Sequence, residues 1–324
     1  GSLQDIDQRA IMEPIVKKCF TVTSVPDIVS CLREAFQTAQ SGTPGPVFVE
    51  LPLDILYSYL EIASGMNLYV RKRRRYLEKN EIRRVVVPEE KRPMSRRDFI
   101  AQLKDDDTIF LRPDEDSSSK DPWYAKAFMQ YKLRHIFADS RNIEYDFSPL
   151  PLKIPRAPLA SVEKAASFVR TAQRPVLVLG SQSVLPVHQV LELRRQIESM
   201  GIPTFLGGMS RGLLGRNASL HIRQGRGNAL RRSDCVILAG AVADFRLQYG
   251  RALPRKGARI VACNRSSESL NLNKGLFWNA DLAIQADPCD FLISLSQCLS
   301  ETSSSKFASW ASELKSLEIQ KERK

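Results

Sequence analysis

The chain has no run of 18 apolar residues, so no segment is long and apolar enough to cross a membrane as a helix. It also has no CxxC pair. Its six cysteines, Cys19, Cys31, Cys235, Cys263, Cys289 and Cys298, are scattered, most of them in apolar runs such as CVILAG and IVACN. That usage favours small buried thiols and a reducing, intracellular setting over a disulfide framework. The three histidines, His135, His188 and His221, share no spacing with Cys, Asp or Glu that suggests zinc, so no structural metal is expected. HExxH does not occur, and no self-contained catalytic set is visible. The absence of GxGxxG and GxxxxGK[ST] leaves a conventional NAD site and a nucleotide-hydrolysing loop without support. No signal-peptide pattern opens the chain, and a targeting or anchor segment upstream of Gly1 stays open.

What is present is enough for a core. The 324 residues have room for two ordinary domains, and 43% of them are apolar. The net charge of +12 is unevenly placed: residues 71–100 carry twelve Lys or Arg against five acidic residues. Arg71 and Arg75 bound the run RKRRR at its centre. Such a cluster suits a solvated linker first, and contact with a membrane surface or another subunit second. Tyr76 and Phe99 are the only aromatics within residues 71–100, too few for the stacking platforms of a nucleic-acid reader.

Four stretches follow from the pattern along the chain. Residues 1–57 hold a helix started by Ser24, Pro26 and Asp27 as a capping box, with Ile28, Leu32, Ala35 and Phe36 as its buried stripe. Gly42 stops that helix, and VFVEL at 47–51 is a short strand expected to be buried on both faces. Residues 58–155 are a charged, proline-punctuated linker or insertion, in part low-complexity, with one periodic run at 123–137 that suits a packed helix. Residues 156–300 alternate regularly. Ser161 caps a first helix, and a second spans 187–200 with Val187, Val190, Leu191, Leu193 and Ile197 inward and Gly201 as its stop. The strands are PVLVLG, IPTFLGG, CVILAGAV, ARIVACN and ADLAIQAD. Five apolar strands separated mostly by helices predict an α/β fold with a doubly wound parallel sheet. Residues 301–324 look like a charged helix leaving the domain.

Ligands on such a sheet bind at the carboxyl ends of the strands. There the chain places Gly180-Ser181-Gln182, then Gly207 and Gly208 followed by Ser210 and Arg211, then Gly240 to Asp244, and Asn264 to Ser267. The paired glycines permit close backbone approach, and Arg211, Arg216, Arg223, Arg226, Arg231 and Arg232 add planar donors suited to phosphate. Asp234 and Asp244 flank one strand, where a carboxylate can hold a ribose or simply end the strand. A nucleotide site and a purely structural domain both stay open on this ground.

GSLQDIDQ at 1–8, SGTPGP at 41–46, PVFVELPLDI at 46–55, RPVLVLGS from Arg174, GIPTFLGGMSRGLLG from Gly201 and SDCVILAGAVADFRLQYG from Ser233 resemble, in order and spacing, the thiamine-diphosphate-dependent enzymes of the acetolactate synthase and 2-hydroxyacyl-CoA lyase group. The resemblance does not cover the basic and acidic middle. It implies that residues 1–57 are the C-terminal part of a pyrimidine-binding domain, so that the chain begins mid-domain, and that residues 156–300 are the family's central domain. The parent enzyme would then use thiamine diphosphate with Mg, in a homodimer or tetramer, on an acyl-CoA or 2-oxoacid. A membrane-anchored parent in the endoplasmic reticulum fits the same resemblance.

The family's activating glutamate would lie ahead of Gly1, and the GDG that holds Mg and the cofactor's diphosphate occurs nowhere in the sequence. The family's substrate-facing Phe-Gln pair falls on Leu3 and Gln4, which leaves Gln4 as the one candidate on the substrate side. In the central domain the resemblance implies an ADP or CoA nucleotide, with Gly207, Gly208 and Arg211 at its phosphates and Asn264 near its ribose. It argues against FAD, because Leu220-His221-Ile222-Arg223 stands where the synthases have a GMHG-like turn, and Cys263-Asn264-Arg265 stands where they have paired aspartates. The implied activity is cleavage of a 2-hydroxyacyl-CoA to an aldehyde and formyl-CoA. Carboligation of 2-oxoacids, or a non-catalytic nucleotide-binding or structural role, are the alternatives.

Overall fold

The structure, a computed structural model, describes residues 6–57, 70–71, 110–111, 135–137, 143–254, 257–299 and 304–322. It divides into two compact units. One holds residues 1–40 and 44–152, the other 41–43 and 153–324.

In the first unit a short helix, α1 (Gln8–Met12), precedes strand β1 (Cys19–Thr21), helix α2 (Asp27–Gln40) and strand β2 (Phe48–Glu50). β1 and β2 pair in parallel, with Phe20 opposite Val49, so the piece is a complete βαβ crossover. The sequence reading had the helix and β2 but missed β1. The Ser24 hydroxyl donates to the Asp27 carboxylate at 2.5 Å at the start of α2, and Gly42 follows its end at φ 54°. Two expectations are corrected here. Phe36 is 66% exposed, because only Ala35 on α2 is fully buried and the small core (Val22, Ile55, Ile136) packs against Ile28 and Cys31 instead. The residues of β2 are half-buried, since the described sheet gives them a neighbour on one edge only. Residues near 146–151, read as linker, lie along α2: Arg33 pairs with Asp146 at 2.7 Å, and the Gln37 amide donates to the Pro151 carbonyl at 2.6 Å. A separate two-residue antiparallel pair joins β3 (Val70–Arg71) to β4 (Phe110–Leu111). The acidic low-complexity runs, Arg75 and most of 123–137 lie outside the described residues.

The second unit is an α/β domain around a five-stranded parallel sheet. Its strands are β5 (Pro175–Leu179), β6 (Thr204–Leu206), β7 (Cys235–Ala239), β8 (Arg259–Asn264) and β9 (Leu282–Gln285), in the order β6-β5-β7-β8-β9. Strand alternation sorts the core into two layers. Leu177, Leu179, Ile237, Val261 and Cys263 face α3 (Leu159–Thr171), α4 (Val190–Met200) and α7 (Pro288–Cys298). Val176, Val178, Val236, Leu238 and Ile260 face α5 (Arg226–Arg232), α6 (Ser267–Asn271) and α8 (Ala308–Glu322). Helices on both faces make the doubly wound arrangement, and burying each large side chain in these layers contributes about 1.5–3 kcal/mol.

Three details differ from the sequence reading. Pro158, not Ser161, precedes α3, since the helix starts three residues earlier than the hydroxyl would set it. Residues 187–189 form a separate short turn before α4. Val187 (80% exposed) and Leu191 (70%) therefore face outward, while Leu193, Ile197 and Met200 keep the inner stripe and Gly201 ends it at φ 65°. The last helix does not leave the domain. Phe307, Trp310, Ala311, Leu314 and Glu318 recur at helical spacing and are all buried, with Trp310 and Leu314 set into the second layer.

Candidate functional site

Chain reversal between β5 and β7 marks the switch point of the sheet, where open α/β sheets ordinarily take a ligand. Here that crevice is closed by backbone. A Cβ on Gly180 would fall 1.9 Å from the Gly240 carbonyl oxygen, so the close approach of the two loops requires glycine there. Ser183 Oγ donates to the Ala239 carbonyl at 2.8 Å and pins the closure.

The open space lies one strand further out, beside β6. A cavity of about 570 Å³, within the range of small-molecule sites, has a floor of Phe205, Leu206, Ile222 and Ala252. Its rim carries Arg211, His221, Arg223, Arg226, Arg246 and Gln248, and no carboxylate lines it among the described residues. Arg246 and Arg226 are placed by different devices, and Arg223 Nε lies 3.9 Å from the Glu318 carboxylate. Arg246 is gripped by Asp244, its Nη2 2.5 Å and its Nε 2.9 Å from Oδ2, which raises the guanidinium pKa and lowers that of the carboxyl. Arg226, in the first turn of α5, is half-buried and donates to the Arg246 carbonyl. Burial lowers its pKa and the Arg246 charge adds to this, while Asp244 opposes both. An anion in the cavity would relieve that cost. Arg211 is exposed and lacks an ion-pair partner among the described residues.

Gln248 enters the rim from an uncommon backbone. It and Tyr249 adopt φ 53° and 58° ahead of Gly250 at 92°, three left-handed residues in succession. Each non-glycine residue so held costs about 1–3 kcal/mol. Surroundings fix the turn: Tyr249 N–H donates to the Asp244 carbonyl at 2.7 Å, and a Cβ on Gly250 would meet Trp278 at 2.2 Å.

Of the residues singled out from sequence, Arg211, Arg223 and Arg226 come together at the cavity, while Arg216, Arg231 and Arg232 do not line it. Gly207 and Gly208 form the turn at the end of β6 without lining the cavity. Gly208 sits at φ 57°, where a Cβ would strike Ser181 Oγ at 2.2 Å, and the Ser210 hydroxyl satisfies the Gly207 N–H at 3.1 Å. Asn264 is not brought to the cavity. It ends β8, three strand positions from β6 and so about 14 Å along the sheet. It is 1% exposed, its Oδ1 accepts from Ser266 N–H at 2.9 Å, and its Nδ2 has no partner among the described residues. Asp234 accepts from the Gln173 and Arg174 amides, a strand-end role. Leu3 and Gln4 lie outside the described residues. Sequence reasoning missed Arg246 and Gln248; the Asp-x-Arg spacing at 244–246 was the available signal.

A larger cavity, about 990 Å³, opens at the amino ends of β8 and β9. It is at the wrong end of the strands for a sheet-bound ligand, and its Arg259 is already paired with Asp281 at 2.9 Å.

The model of the family described as "Thiamine pyrophosphate enzyme, central domain" matches residues 162–295, which takes in all five strands of this sheet. Those residues belong to that central-domain family. The chain is 41% identical to the 2-hydroxyacyl-CoA lyase 2 of Mus musculus over 99% of its own length and 43% of that protein. To the 2-hydroxyacyl-CoA lyase 2 of Homo sapiens it is 37% identical, with the same coverage of both chains. A probable acetolactate synthase of Mycobacterium bovis is 31% identical over 42% of this chain and 25% of that protein. The chain therefore spans under half the length of the lyase relatives it matches. In this central domain the arginine cavity is the concave, cationic feature at the carboxyl side of the sheet.

Proposed function

We propose that the chain is a stretch of a thiamine-diphosphate-dependent lyase that cleaves a 2-hydroxyacyl-CoA to an aldehyde and formyl-CoA. Its central domain holds the adenosine diphosphate end of CoA, or an ADP-type nucleotide, in the arginine cavity. The observation that carries the nucleotide reading is the convergence of Arg211, Arg223, Arg226 and Arg246 on one apolar-floored cavity with no lining carboxylate. Diphosphate oxygens would meet the guanidinium groups, each charge-assisted bond contributing about 1.5–3 kcal/mol. The adenosine would lie on the floor of Phe205, Ile222 and Ala252, with Gln248 at its edge. ADP is favoured over FAD because His221 and Arg223 extend side chains into the rim where the synthases' glycines would leave space.

Thiamine diphosphate supplies the carbanion chemistry of the family. The residues here do not fit it: no GDG occurs in the sequence, and no cluster of three or more metal-binding side chains occurs among the described residues. Its diphosphate and Mg are assigned to the part of the enzyme outside the matched stretch, and this domain's share of the work is to anchor the substrate's nucleotide.

The test uses the whole enzyme with thiamine diphosphate and Mg. Release of aldehyde and formyl-CoA from a 2-hydroxyacyl-CoA, with KM raised about ten-fold or more by Arg226→Ala, is expected. Carboligation of 2-oxoacids without lyase activity would replace this reading with the synthase one.

A further inference from the structure

Helix α8 lies beyond residues 162–295, the stretch matched by the family model, yet it reaches the loop that lines the arginine cavity. Its contact is a buried carboxylate. Glu318 is 2% exposed, and its Oε1 accepts from two successive backbone amides, those of Arg223 and Gln224, the second at 3.2 Å. Oε2 takes the Lys315 ammonium at 2.5 Å, and the same ammonium donates to the His221 carbonyl at 3.0 Å. One turn of α8 therefore grips residues 221, 223 and 224 from behind, on the segment that gives the cavity His221, Ile222, Arg223, Gly225 and Arg226. Burial alone disfavours the Glu318 carboxylate, but Lys315 and the two amides outweigh it and hold its pKa below the usual range. Trp310 and Leu314 fasten the same helix into the core.

We propose that Glu318 is a positioning residue for the cavity: with Lys315 it fixes the 221–225 loop, and the affinity of the cavity for a nucleoside diphosphate is set from α8. This rests on the reading of the cavity as a diphosphate site. Three roles for Glu318 predict different signs. As a mere nearby negative charge it would weaken anion binding, so both Glu318→Gln and Glu318→Ala would bind tighter. As a purely structural group its loss would lower the thermal midpoint and leave the dissociation constant of the folded protein unchanged. As a clamp, its Oε1 is what matters. Glu318→Gln keeps that acceptor, and Lys315, partly exposed, can turn to water; Glu318→Ala frees both amides.

The experiment titrates ADP into the 324-residue chain and follows amide hydrogen exchange at Arg223 and Gln224 without ligand. The clamp predicts that Glu318→Ala weakens ADP binding about ten-fold or more and speeds exchange at both amides, whereas Glu318→Gln stays within about three-fold on binding and keeps the protection. Tighter binding in both variants, or unchanged binding in Glu318→Ala, overturns it. Amides of Arg223 and Gln224 that exchange freely in the unsubstituted chain refute the clamp alone. No ADP binding by a chain whose amides are protected refutes the diphosphate reading and, with it, the control of affinity from α8.

Discussion

Removing the guanidinium of Arg265 should destabilise the central domain more than any surface substitution. Arg265 and Asp287 form an ion pair with side chains 4% and 3% exposed, the arginine Nε lying 2.5 Å from Oδ2. Arg265 Nη1 also donates to the Gly42 carbonyl at 3.0 Å, and Asp287 caps α7 by accepting from the Asp290 amide at 2.9 Å. Arg265→Met keeps most of the volume but leaves a buried carboxylate with one amide donor. Breaking one side of such a pair costs about 3–5 kcal/mol. At about 2–4 °C per kcal/mol for a domain of this size, the thermal midpoint should fall by roughly 6–20 °C. Arg265→Met with Asp287→Asn, which retains the cap through Asn, should recover a large part of the loss. Urea unfolding followed by circular dichroism on the two single variants and the double variant measures the coupling. A cost below about 1 kcal/mol for Arg265→Met, or no recovery in the double variant, would show that water reaches the pair and refute the reasoning.

Other substitutions and conditions follow the same logic. Gly180→Ala should cost several kcal/mol or prevent folding, because its Cβ has only 1.9 Å to the Gly240 oxygen; a variant with an unchanged melting curve would mean the loops part freely. Trp310→Ala should cost about 3–5 kcal/mol in chemical unfolding, since the ring is 4% exposed and its Nε1 donates to the Pro175 carbonyl at 3.1 Å. The depressed Glu318 carboxyl stabilises fully above the unfolded glutamate value of about 4.3, and this share is lost as pH falls through the lower folded value. Urea melts between about pH 6 and pH 3 should therefore show the stability gap between the native chain and Glu318→Ala closing as pH falls. Burial pushes the Cys235 and Cys289 thiols up to about 12, so maleimide labelling of the native chain should spare them and Cys263 while reaching Cys19, Cys31 and Cys298.

The sheet was legible because each of its strands is a short apolar run bounded by turn residues, as PVLVLG and CVILAG show. β1 was missed although Phe20 and Val22 alternate with the exposed Thr21 and Thr23, because the strand itself is only three residues long and follows two lysines. The docking of α8 was hidden by two exchanges: a carboxylate, Glu318, sits on the buried face, and Ile319 is 44% exposed on the other. Together they blur the stripe of Phe307, Trp310 and Leu314. Arginines near α5 could be seen as a basic patch, but the sheet order decides which strand ends are neighbours. That order sets Asn264 three positions away from Arg211. Gln248 owes its place to left-handed backbone at two non-glycine residues, for which the local sequence carries no marker.

The claim that the central domain binds a nucleoside diphosphate in its arginine cavity is tested most directly by calorimetric titration of the 324-residue chain with ADP, CoA and FAD. One site for ADP and CoA is predicted, with FAD weaker than both and with Arg226→Ala weakening ADP about ten-fold to a hundred-fold at an unchanged melting temperature. Tightest binding of FAD, or ADP binding indifferent to Arg226, would contradict the account.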